Sequence, residues 1–447
     1  MLRESVKLTS TQVRTLQWAL DNEKKIGGGA IALKPGNGKT VTALALSSKK
    51  PPTVRGQKEL YVLPPTLVAQ WDAEVLKLTH LRAKIYIKND EDRLRRLLKD
   101  DSIQILIVSY YTLLHADKEA SELFRVHWFR IVADEAHQIR NPKAQISQCM
   151  QQLHATYRWV MSGTFLMNGT VDLFGICKFL RCDGHRTKEQ FERAMRRGLV
   201  AQIMMQSSKE DIAALALPPL HDQKPSYVTM TPTEMGEYRA IFSHHRRVAL
   251  KDKRTTTMLK LITDLRIAAC RVPSKVQALM ATIDSILRQN AASKILIFAS
   301  FMNVIDTYRD ALRRRGIKCL LYTGQIDQKE RDANVARFKE STSIRVMILG
   351  FKCGNAGINL QCAQHVVLDS PNWHNAIDEQ AIARAYRKGQ ENPVYVYRIR
   401  NRGTIEDRIA QIAQKKKVLI ERALRQQQPI NMNAALSKTE MAALLEI

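Results

Sequence analysis

The segment at residues 33–40 constrains the fold of this chain more than any other, and it reads Leu-Lys-Pro-Gly-Asn-Gly-Lys-Thr. An apolar run at residues 29–33 leads into it, and a helix-forming run at residues 41–46 follows it. This pattern predicts a buried strand, a tight loop and the start of a helix. A loop of that kind binds phosphate, because the N–H groups at the start of a helix point toward an anion.

The residue types within the loop match the chemistry of a nucleoside triphosphate with magnesium. Gly36 and Gly38 allow the backbone N–H groups around Asn37 to turn toward phosphate oxygens. The Lys39 side chain is long enough to reach the outer phosphates, and the Thr40 hydroxyl is a candidate ligand for Mg²⁺. The strict phosphate-loop pattern has glycine at its first position, where this chain has leucine. On its own the segment therefore fits an ordinary strand-to-helix turn equally well.

A pair of carboxylates later in the chain favours the nucleotide interpretation. The apolar run at residues 129–133 leads directly into Asp134 and Glu135. A carboxylate at a strand exit is suited to hold Mg²⁺ directly or through water, and we assign this role to Asp134. Glu135 is then placed to orient and polarise an attacking water molecule. Charged strand exits are common without function, but the glycine-rich loop upstream argues against that alternative.

Length and charge set the domain count and the class of partner. A chain of 447 residues is too long for one hydrophobic core and predicts two domains or slightly more. Its net charge of +27 indicates a polyanionic partner, most often nucleic acid, although a well-solvated basic surface gives the same value. Seven cysteines without zinc spacing predict reduced thiols in an intracellular protein. We find neither a secretory signal nor an apolar run of membrane-spanning length, so no membrane association is expected.

Three residues of the first half are candidate ligand contacts. Gln12 lies in the first turn of an amphipathic run, where its amide offers a donor and an acceptor to an adenine edge. Ser109 and Tyr110 follow an apolar strand predicted at residues 103–108, and such residues suit a phosphate backbone. Each also fits a structural role, as an exposed polar residue in the case of Gln12, and as a helix cap and a core aromatic residue in the other two cases.

The second half of the chain repeats the alternation of strand and helix. Residues 181–274 are basic and largely helical in pattern. Strand-like runs follow at residues 294–299, 319–322, 345–349, 365–369 and 394–399. This alternation predicts a second doubly wound parallel sheet. Arg384 and Arg387 are three residues apart and are predicted to share one helix face, from which they could act as arginine fingers on a γ-phosphate; the alternative is a basic surface helix.

Taken in order, these segments resemble the Snf2 family of superfamily 2 helicase-like ATPases, from about residue 8 to about residue 424. The matching segments are the Q motif at Gln12, motif I at residues 36–40, motif Ia at 64–71, motif II at 134–141, motif III at 162–164, motif V at 354–360, motif VI at 380–390 and a brace helix from residue 403. The chain is short for this family. Its size is similar to that of small bacterial members and of members from large DNA viruses, such as the global transactivators of baculoviruses.

The resemblance implies an α/β fold with two RecA-like, doubly wound parallel-sheet lobes and a helical insertion between them. The implied domains are an ATP-binding lobe at residues 1–215, a helical region at 216–274, a second lobe with the brace helix at 275–427 and a short helical tail at 428–447. ATP with Mg²⁺ is expected to bind between the lobes, and double-stranded DNA is expected to lie across another face of both.

The resemblance also implies roles for individual residues. ATP is expected to contact Gln12, Gly36, Asn37, Gly38, Lys39 and Thr40, and Mg²⁺ to contact Thr40 and Asp134. The residues expected to act in hydrolysis are Glu135, Gln380, Arg384 and Arg387. Those expected to contact DNA are Ser109, Tyr110, Gly354, Asn355, Asn359 and Trp373.

The implied function is ATP-dependent translocation along double-stranded DNA by a monomeric motor that remodels or displaces bound proteins in transcription or DNA maintenance. The alternatives are a weakly catalytic, ATP-binding accessory of transcription that binds DNA, and a strand-separating helicase. Departures from the family pattern bear on coupling and regulation rather than on ATP binding, and they lie at Leu33-Lys34, Phe165-Leu166 and Gln206-Ser207. Such a protein is expected in the nucleus of a eukaryote or of a cell that hosts a nuclear-replicating virus, and otherwise in the cytoplasm.

Overall fold

The computed structural model describes residues 2–34, 36–87, 90–163, 171–182, 186–213, 215–354, 358–426 and 438–446. The chain divides into two compact units. Unit 1 contains Met1–Ala216 and Leu419–Ala434, and unit 2 contains Leu217–Val418 and Ala435–Ile447. Each unit has its own parallel sheet flanked by helices, which confirms the predicted class of two doubly wound α/β lobes.

The described residues of unit 1 contain a parallel sheet. Its strands are β1 (Gly28–Ala32), β2 (Glu59–Leu63), β3 (Ala83–Tyr86), β4 (Ile105–Ser109), β5 (His127–Ala133), β6 (His154–Met161) and β7 (Met204–Gln206). They lie side by side in the order β3-β4-β2-β5-β6-β1-β7, and every neighbouring pair is parallel. All these strands therefore end at the same edge of the sheet.

The helices of unit 1 connect these strands and cover both faces of the sheet. They are α1 (Ser10–Ile26), α2 (Lys39–Lys49), α3 (Val68–Leu78), α4 (Glu91–Lys99), α5 (Tyr110–His115), α6 (Glu122–Arg125), α7 (Gln145–Gln152), α8 (Val171–Leu180), α9 (Lys188–Arg196), α10 (Leu199–Ile203) and α11 (Lys209–Ala213). Two short 3-10 turns occur at Pro65–Leu67 and Ala136–Ile139.

Unit 2 contains a second parallel sheet and a group of longer helices. Its strands are β8 (Leu220–Asp222), β9 (Ser226–Val228), β10 (Ile295–Ala299), β11 (Cys319–Tyr322), β12 (Val346–Gly350), β13 (His365–Leu368) and β14 (Val394–Asn401). Its helices are α12 (Pro232–Lys251), α13 (Thr255–Arg271), α14 (Pro273–Gln289), α15 (Met302–Arg314), α16 (Gln328–Glu340), α17 (Phe351–Gly354), α18 (Asn375–Ile382), α19 (Ile405–Gln426) and α20 (Lys438–Leu445). The strand order is β11-β12-β10-β13-β14-β8, and β9 also pairs with β14. Helix α19 begins in unit 2, and its residues from Leu419 onward belong to unit 1.

Burial on both faces explains why the strands are apolar runs in the sequence. Every residue of β2, β4 and β10 is buried, as expected for parallel strands with helices on either side. In unit 1, Leu106 and Trp128 belong to the core on one face of the sheet, and Tyr61 and Trp71 belong to the core on the other. Polar chemistry is consequently concentrated where the strands end.

A buried ion network ties helices to the sheet in unit 1. Arg130 on β5 is fully buried, donates to Glu23 on α1 at 2.7 Å and pairs with Glu59 on β2. Glu23 also accepts from the Trp159 indole at 2.9 Å and lies 3.1 Å from the Lys50 ammonium. Each buried charge has a partner, which offsets the cost of removing it from water. The network fixes α1 against β2, β5 and β6.

The predicted strands agree with the observed ones to within about three residues at their ends. The region that was expected to be helical contains three further strands, β7, β8 and β9, which have three residues each. Segments of three residues are too short to show an alternation of apolar and polar residues, and only their pairing with β1 or β14 defines them as strands. No helix in the described ranges combines the length and apolar character that crossing a bilayer requires.

Candidate nucleotide-binding and hydrolysis site

The carboxyl edge of the unit 1 sheet brings together residues that are far apart in sequence. Strands β7, β1, β6 and β5 are consecutive in the sheet. The residues that follow them therefore lie at neighbouring positions of one edge: Ser207, the described residues of the phosphate loop (33–34 and 36–40), Ser162 and Asp134. Ligands of open α/β sheets bind at this edge.

The phosphate loop has the conformation that the sequence predicts. Gly36 and Gly38 have φ of +90° and +74°, which lie in the left-handed region that favours glycine. The N–H of Asn37 donates to the carbonyl of Lys34 at 3.1 Å and closes a tight turn. Helix α2 then begins at Lys39 without a hydrogen bond from a capping side chain. The first N–H groups of a helix point outward along its axis, which suits an anion at the loop.

Gln12 lies against the loop, on the first turn of α1. Its side-chain oxygen accepts from the N–H of Thr9 at 2.9 Å and completes a capping box at the start of that helix. A Cβ atom added to Gly38 would lie 2.0 Å from Nε2 of Gln12. The amide therefore packs directly on the glycine backbone, which explains why a glycine is required at position 38. The role of Gln12 toward adenine stays a prediction.

Asp134 follows β5 and is buried beside the loop lysine. Its Oδ2 accepts from the Trp71 indole at 3.1 Å, and its Oδ1 accepts from the N–H of Glu135 at 2.8 Å. Burial and the neighbouring carboxylate of Glu135 raise the pKa of Asp134 to about 6, and the ammonium of Lys39 opposes this rise. The Lys39 ammonium itself donates to the carbonyl of Leu33 at 2.9 Å. The cation and the carboxylate of the predicted site thus lie close enough to interact.

Glu135 has an unusual backbone conformation for a residue that is not glycine. Its φ is 51° and its ψ is 54°, in the left-handed region. Its Oε2 lies 3.3 Å from Nδ1 of His137 and 3.5 Å from the hydroxyl of Ser162. Backbone strain of this kind occurs at functional sites, where the surrounding structure holds it in place. Thr164 of the predicted motif III lies outside the described residues.

These residues fit a nucleotide phosphate with Mg²⁺. The uncapped start of α2 and the Lys39 ammonium suit phosphate oxygens, and the carboxylate of Asp134 and the hydroxyl of Thr40 are hard oxygen ligands. Within the described residues, no group of three or more His, Cys, Asp or Glu side chains is arranged to hold a metal.

The two first-half residues predicted to contact DNA are both buried. The Ser109 hydroxyl caps α5 by accepting from the N–H of Thr112 at 2.9 Å. The Tyr110 hydroxyl donates to the carbonyl of Asp134 at 2.8 Å. Their roles in DNA binding stay predictions. The neighbouring residue Tyr111 is 64% exposed, and its ring centroid lies 4.3 Å from that of His115. Sequence reasoning missed this pair, although its spacing of four residues in a helical segment was a usable signal.

The prediction that Arg384 and Arg387 share a helix face is wrong. Helix α18 ends at Ile382, and both arginines lie in the turns that follow it. The reason is tertiary: the N–H of Leu360 donates to the carbonyl of Arg384 at 3.0 Å, which holds these turns against the preceding segment. Arg384 is buried, and its Nε donates to the carbonyl of Gln380 at 2.9 Å; Gln380 is buried and Arg387 is half-buried. Their catalytic roles stay predictions.

The remaining predicted DNA contacts lie in unit 2. Asn355 lies outside the described residues, and Gly354 is the last residue of α17. The half-buried Asn359 accepts from the N–H of Gln361 at 3.3 Å. Trp373 is half-buried, and the guanidinium of Arg266 on α13 lies 5.2 Å from its ring centroid. The roles of these residues in DNA contact stay predictions.

Two family models match this chain and decide which family it belongs to. The family model described as the SNF2-related domain matches residues 11–275, which is more than half of the chain. The chain belongs to the SNF2-related family. The model described as the helicase conserved C-terminal domain matches residues 274–389. Together the matches confirm the resemblance drawn from the motifs, and they identify the chain as a helicase-like ATPase core of Snf2 type.

Relatives of this SNF2-related chain come from bacteria, viruses and animals. An "Uncharacterized ATP-dependent helicase" of Mycoplasma pneumoniae is 26% identical over 99% of this chain and 45% of its own length. A "Probable global transactivator" of Orgyia pseudotsugata multicapsid polyhedrosis virus is 27% identical over 89% of this chain and 86% of its own length. Among solved structures, the SWI2/SNF2 ATPase core of Sulfolobus solfataricus in complex with dsDNA is 25% identical, covers 94% of this chain and 93% of its own, and has a TM-score of 0.44. The chain thus spans less than half of the bacterial relative and most of the viral one.

Proposed function

We propose that this SNF2-related chain hydrolyses ATP to ADP and phosphate and couples hydrolysis to movement along double-stranded DNA. The observation that carries the proposal is the edge of the unit 1 sheet. There an uncapped helix start, the Lys39 ammonium and the buried Asp134 carboxylate lie beside Glu135, whose backbone is held in a left-handed conformation. This combination is suited to phosphate binding, metal ligation and general-base catalysis, and it supports the proposal.

The chain's own residues divide the chemistry between them. The N–H groups at the start of α2 and the Lys39 ammonium bind the phosphates. Glu135 orients the attacking water and accepts its proton. The Ser162 hydroxyl and the His137 ring lie 3.5 Å and 3.3 Å from the Glu135 carboxylate and are proposed to orient it. Mg²⁺, when bound by Thr40 and Asp134, would neutralise phosphate charge.

Arg384 and Arg387 are proposed to stabilise the charge that develops on the γ-phosphate. The Nε of Arg384 donates to the carbonyl of Gln380, and this bond restricts the conformations of the guanidinium. A fixed guanidinium loses little conformational freedom when it binds phosphate oxygens.

The proposed DNA partner follows from charge. A net charge of +27 favours binding to a phosphate backbone. Contacts with backbone phosphates are electrostatic, so affinity should fall steeply as salt concentration rises. They give little base specificity, so affinity should vary little with base composition. We propose that the protein acts as a monomer and displaces or remodels proteins bound to the duplex.

Steady-state ATP hydrolysis without nucleic acid, and with single-stranded DNA, duplex DNA or RNA, tests the proposal. We expect duplex DNA to raise turnover by about tenfold or more, and Lys39→Ala to abolish it. Lys49→Ala is the matched control, because Lys49 is an exposed lysine in the last turn of the same helix. Hydrolysis that no nucleic acid stimulates would contradict coupling to DNA, and hydrolysis that survives Lys39→Ala would contradict the assigned site.

Movement needs a separate measurement. Displacement of the third strand of a DNA triplex reports translocation along a duplex, and a forked duplex reports strand separation. We expect ATP-dependent triplex displacement with the forked duplex left intact. Efficient separation of the fork would instead support the strand-separating alternative.

A further inference from the structure

A serine far from the phosphate loop in sequence holds the loop in its folded conformation. Ser207 directly follows β7, which pairs with β1, so it lies at the edge where the loop begins. Its hydroxyl oxygen accepts from the N–H of Lys34 at 2.9 Å and from Nδ2 of Asn37 at 3.1 Å. These two donors flank the first glycine of the loop. One hydroxyl therefore joins the two sides of the turn.

The side chain of Asn37 makes this contact part of the buried structure. Asn37 is only 2% exposed, and its backbone N–H already donates to the carbonyl of Lys34. Its side-chain amide is oriented by Ser207, because Nδ2 is the atom that donates. Replacement of the Ser207 hydroxyl would leave that amide N–H without this acceptor inside the protein, and an unsatisfied buried donor is costly. The loop would then rearrange.

The segment that carries Ser207 is itself anchored to α1. Asp211 is 4% exposed and accepts from the Thr11 hydroxyl at 2.8 Å and from the N–H of Ser208 at 2.7 Å, and it pairs with Arg14. Three donors from two elements thus converge on one carboxylate. The segment at residues 206–211 is fixed to the same helix whose first turn supports the loop.

The loop is therefore held from two sides by elements that are bonded to each other. Gln12 on α1 packs against Gly38 at the end of the loop, and Ser207 holds its beginning. Because Asp211 joins the two supports, they cannot move independently. An anion-binding loop that is ordered before the ligand arrives loses less conformational entropy on binding.

We propose that Ser207 is a positioning residue for nucleotide binding, which preorganises the phosphate loop. This inference rests on the proposed function only in taking the loop as the nucleotide site. Ser207 acts through Lys34 and Asn37 and is not expected to touch the reacting atoms. Its loss should weaken nucleotide affinity, and turnover at saturating ATP should change little.

The experiment compares the full chain with its Ser207→Ala and Ser207→Thr variants, using a fluorescent ADP analogue with Mg²⁺ and steady-state ATP hydrolysis. We expect Ser207→Ala to raise the Kd for the analogue and the KM for ATP by about fivefold to tenfold, the scale of one or two lost neutral hydrogen bonds. We expect kcat to stay within about twofold, and Ser207→Thr, which keeps the hydroxyl, to restore most of the affinity. Ser243→Ala is the matched control, because Ser243 is an exposed serine on α12.

Several results would overturn the inference. They are an unchanged Kd and KM in Ser207→Ala, a loss of kcat without a change in KM, or equal weakening in the alanine and threonine variants. Thermal unfolding shows whether each variant is still folded at the assay temperature. A Ser207→Ala protein that is largely unfolded there would count against a specific role, whereas a modest fall in melting temperature is expected from one unsatisfied buried donor. Affinity for the analogue does not depend on turnover or on DNA. Failure of the DNA motor proposal would therefore appear in the hydrolysis assays while the Ser207 comparison still gave its own answer.

Discussion

The hydroxyl of Tyr110 donates a hydrogen bond of 2.8 Å to the backbone carbonyl of Asp134. Tyr110 begins α5 directly after β4, and Asp134 follows β5, with β2 between the two strands. The next residue, Tyr111, is exposed. A ligand that contacts α5 is thus separated by one tyrosine side chain from the carboxylates assigned to metal binding and hydrolysis.

Tyr110→Phe should reduce the stimulation of ATP hydrolysis by duplex DNA. The variant keeps the buried ring and removes only the hydroxyl, so the carbonyl of Asp134 loses this donor. We expect the ratio of kcat with and without duplex to fall about threefold to tenfold, the scale of one buried hydrogen bond, with little change in KM for ATP. Tyr227→Phe is the control, because Tyr227 is 45% exposed in unit 2. Equal stimulation in both variants would show that this bond does not transmit DNA binding.

Gly38→Ala should abolish nucleotide binding. The residue has φ of +74°, and the added Cβ would lie 2.0 Å from Nε2 of Gln12. Combining it with Gln12→Ala relieves the clash and leaves the backbone strain, so the double variant should recover only part of the affinity. Titration with a fluorescent ADP analogue measures the affinity of the wild-type protein, of Gly38→Ala and of the double variant. Gly236→Ala is the control, because a Cβ there meets nothing within 4 Å; normal affinity in Gly38→Ala would refute the described loop geometry.

Glu135→Gln should separate nucleotide binding from hydrolysis. The amide keeps the size of the side chain but cannot accept a proton from water, so kcat should fall by about 10²–10⁴. The Kd for the ADP analogue should stay within about threefold, because no phosphate contact is assigned to this residue. Glu119→Gln, at an exposed position, controls for the loss of one negative charge. Retention of full turnover by Glu135→Gln would remove the residue from the mechanism.

Arg130→Met should strongly destabilise unit 1. The substitution leaves the buried carboxylates of Glu23 and Glu59 without their shared guanidinium, and breaking a buried pair in this way costs about 3–5 kcal/mol. Urea unfolding measures the change in free energy. Arg55→Met is the control, because the Arg55–Asp101 pair is exposed and should contribute less than about 1 kcal/mol. Similar effects of the two substitutions would mean that the buried network is not what holds α1 to the sheet.

The stability of unit 2 should rise with pH through the titration of His365. Burial lowers the pKa of His365 from an ordinary 6.5 to about 4, and its Nδ1 lies 3.2 Å from the Tyr397 hydroxyl. Between these two values the unfolded chain binds a proton that the folded chain does not. The free energy of unfolding therefore increases as pH rises from about 4 to about 6.5. His365→Phe should remove this contribution, so the wild-type and variant curves should diverge across that range; parallel curves would contradict it.

Much of the architecture follows from the sequence because buried parallel strands are continuous apolar runs. Residues 105–109 and 295–299 are buried throughout, and strands were predicted at residues 103–108 and 294–299. The phosphate loop was predictable for a similar local reason, since its two left-handed glycines and the helix after them are set by neighbouring residues. Local chemistry of this kind needs no knowledge of the rest of the fold.

The remaining features depend on contacts between distant segments. Strand β7 has three residues and is defined by its pairing with β1. The turns after α18 form because Arg384 is bonded to Leu360, although the sequence favours a longer helix. Ser207 appeared in the sequence only as a departure from the family pattern, and its bonds to the loop required the sheet order to be known.

The contact between Asn37 and Ser207 also affects which segments can be exchanged between this protein and its relatives in a chimera. The two residues are 170 positions apart, yet they share one hydrogen bond at the loop. A chimera that takes its first hundred residues from a relative would combine a foreign loop with the native serine. If Ser207 orders the loop as proposed, such hybrids should bind nucleotide poorly unless the segment at residues 206–211 is exchanged as well. The loop and its support would then form one unit that is discontinuous in sequence.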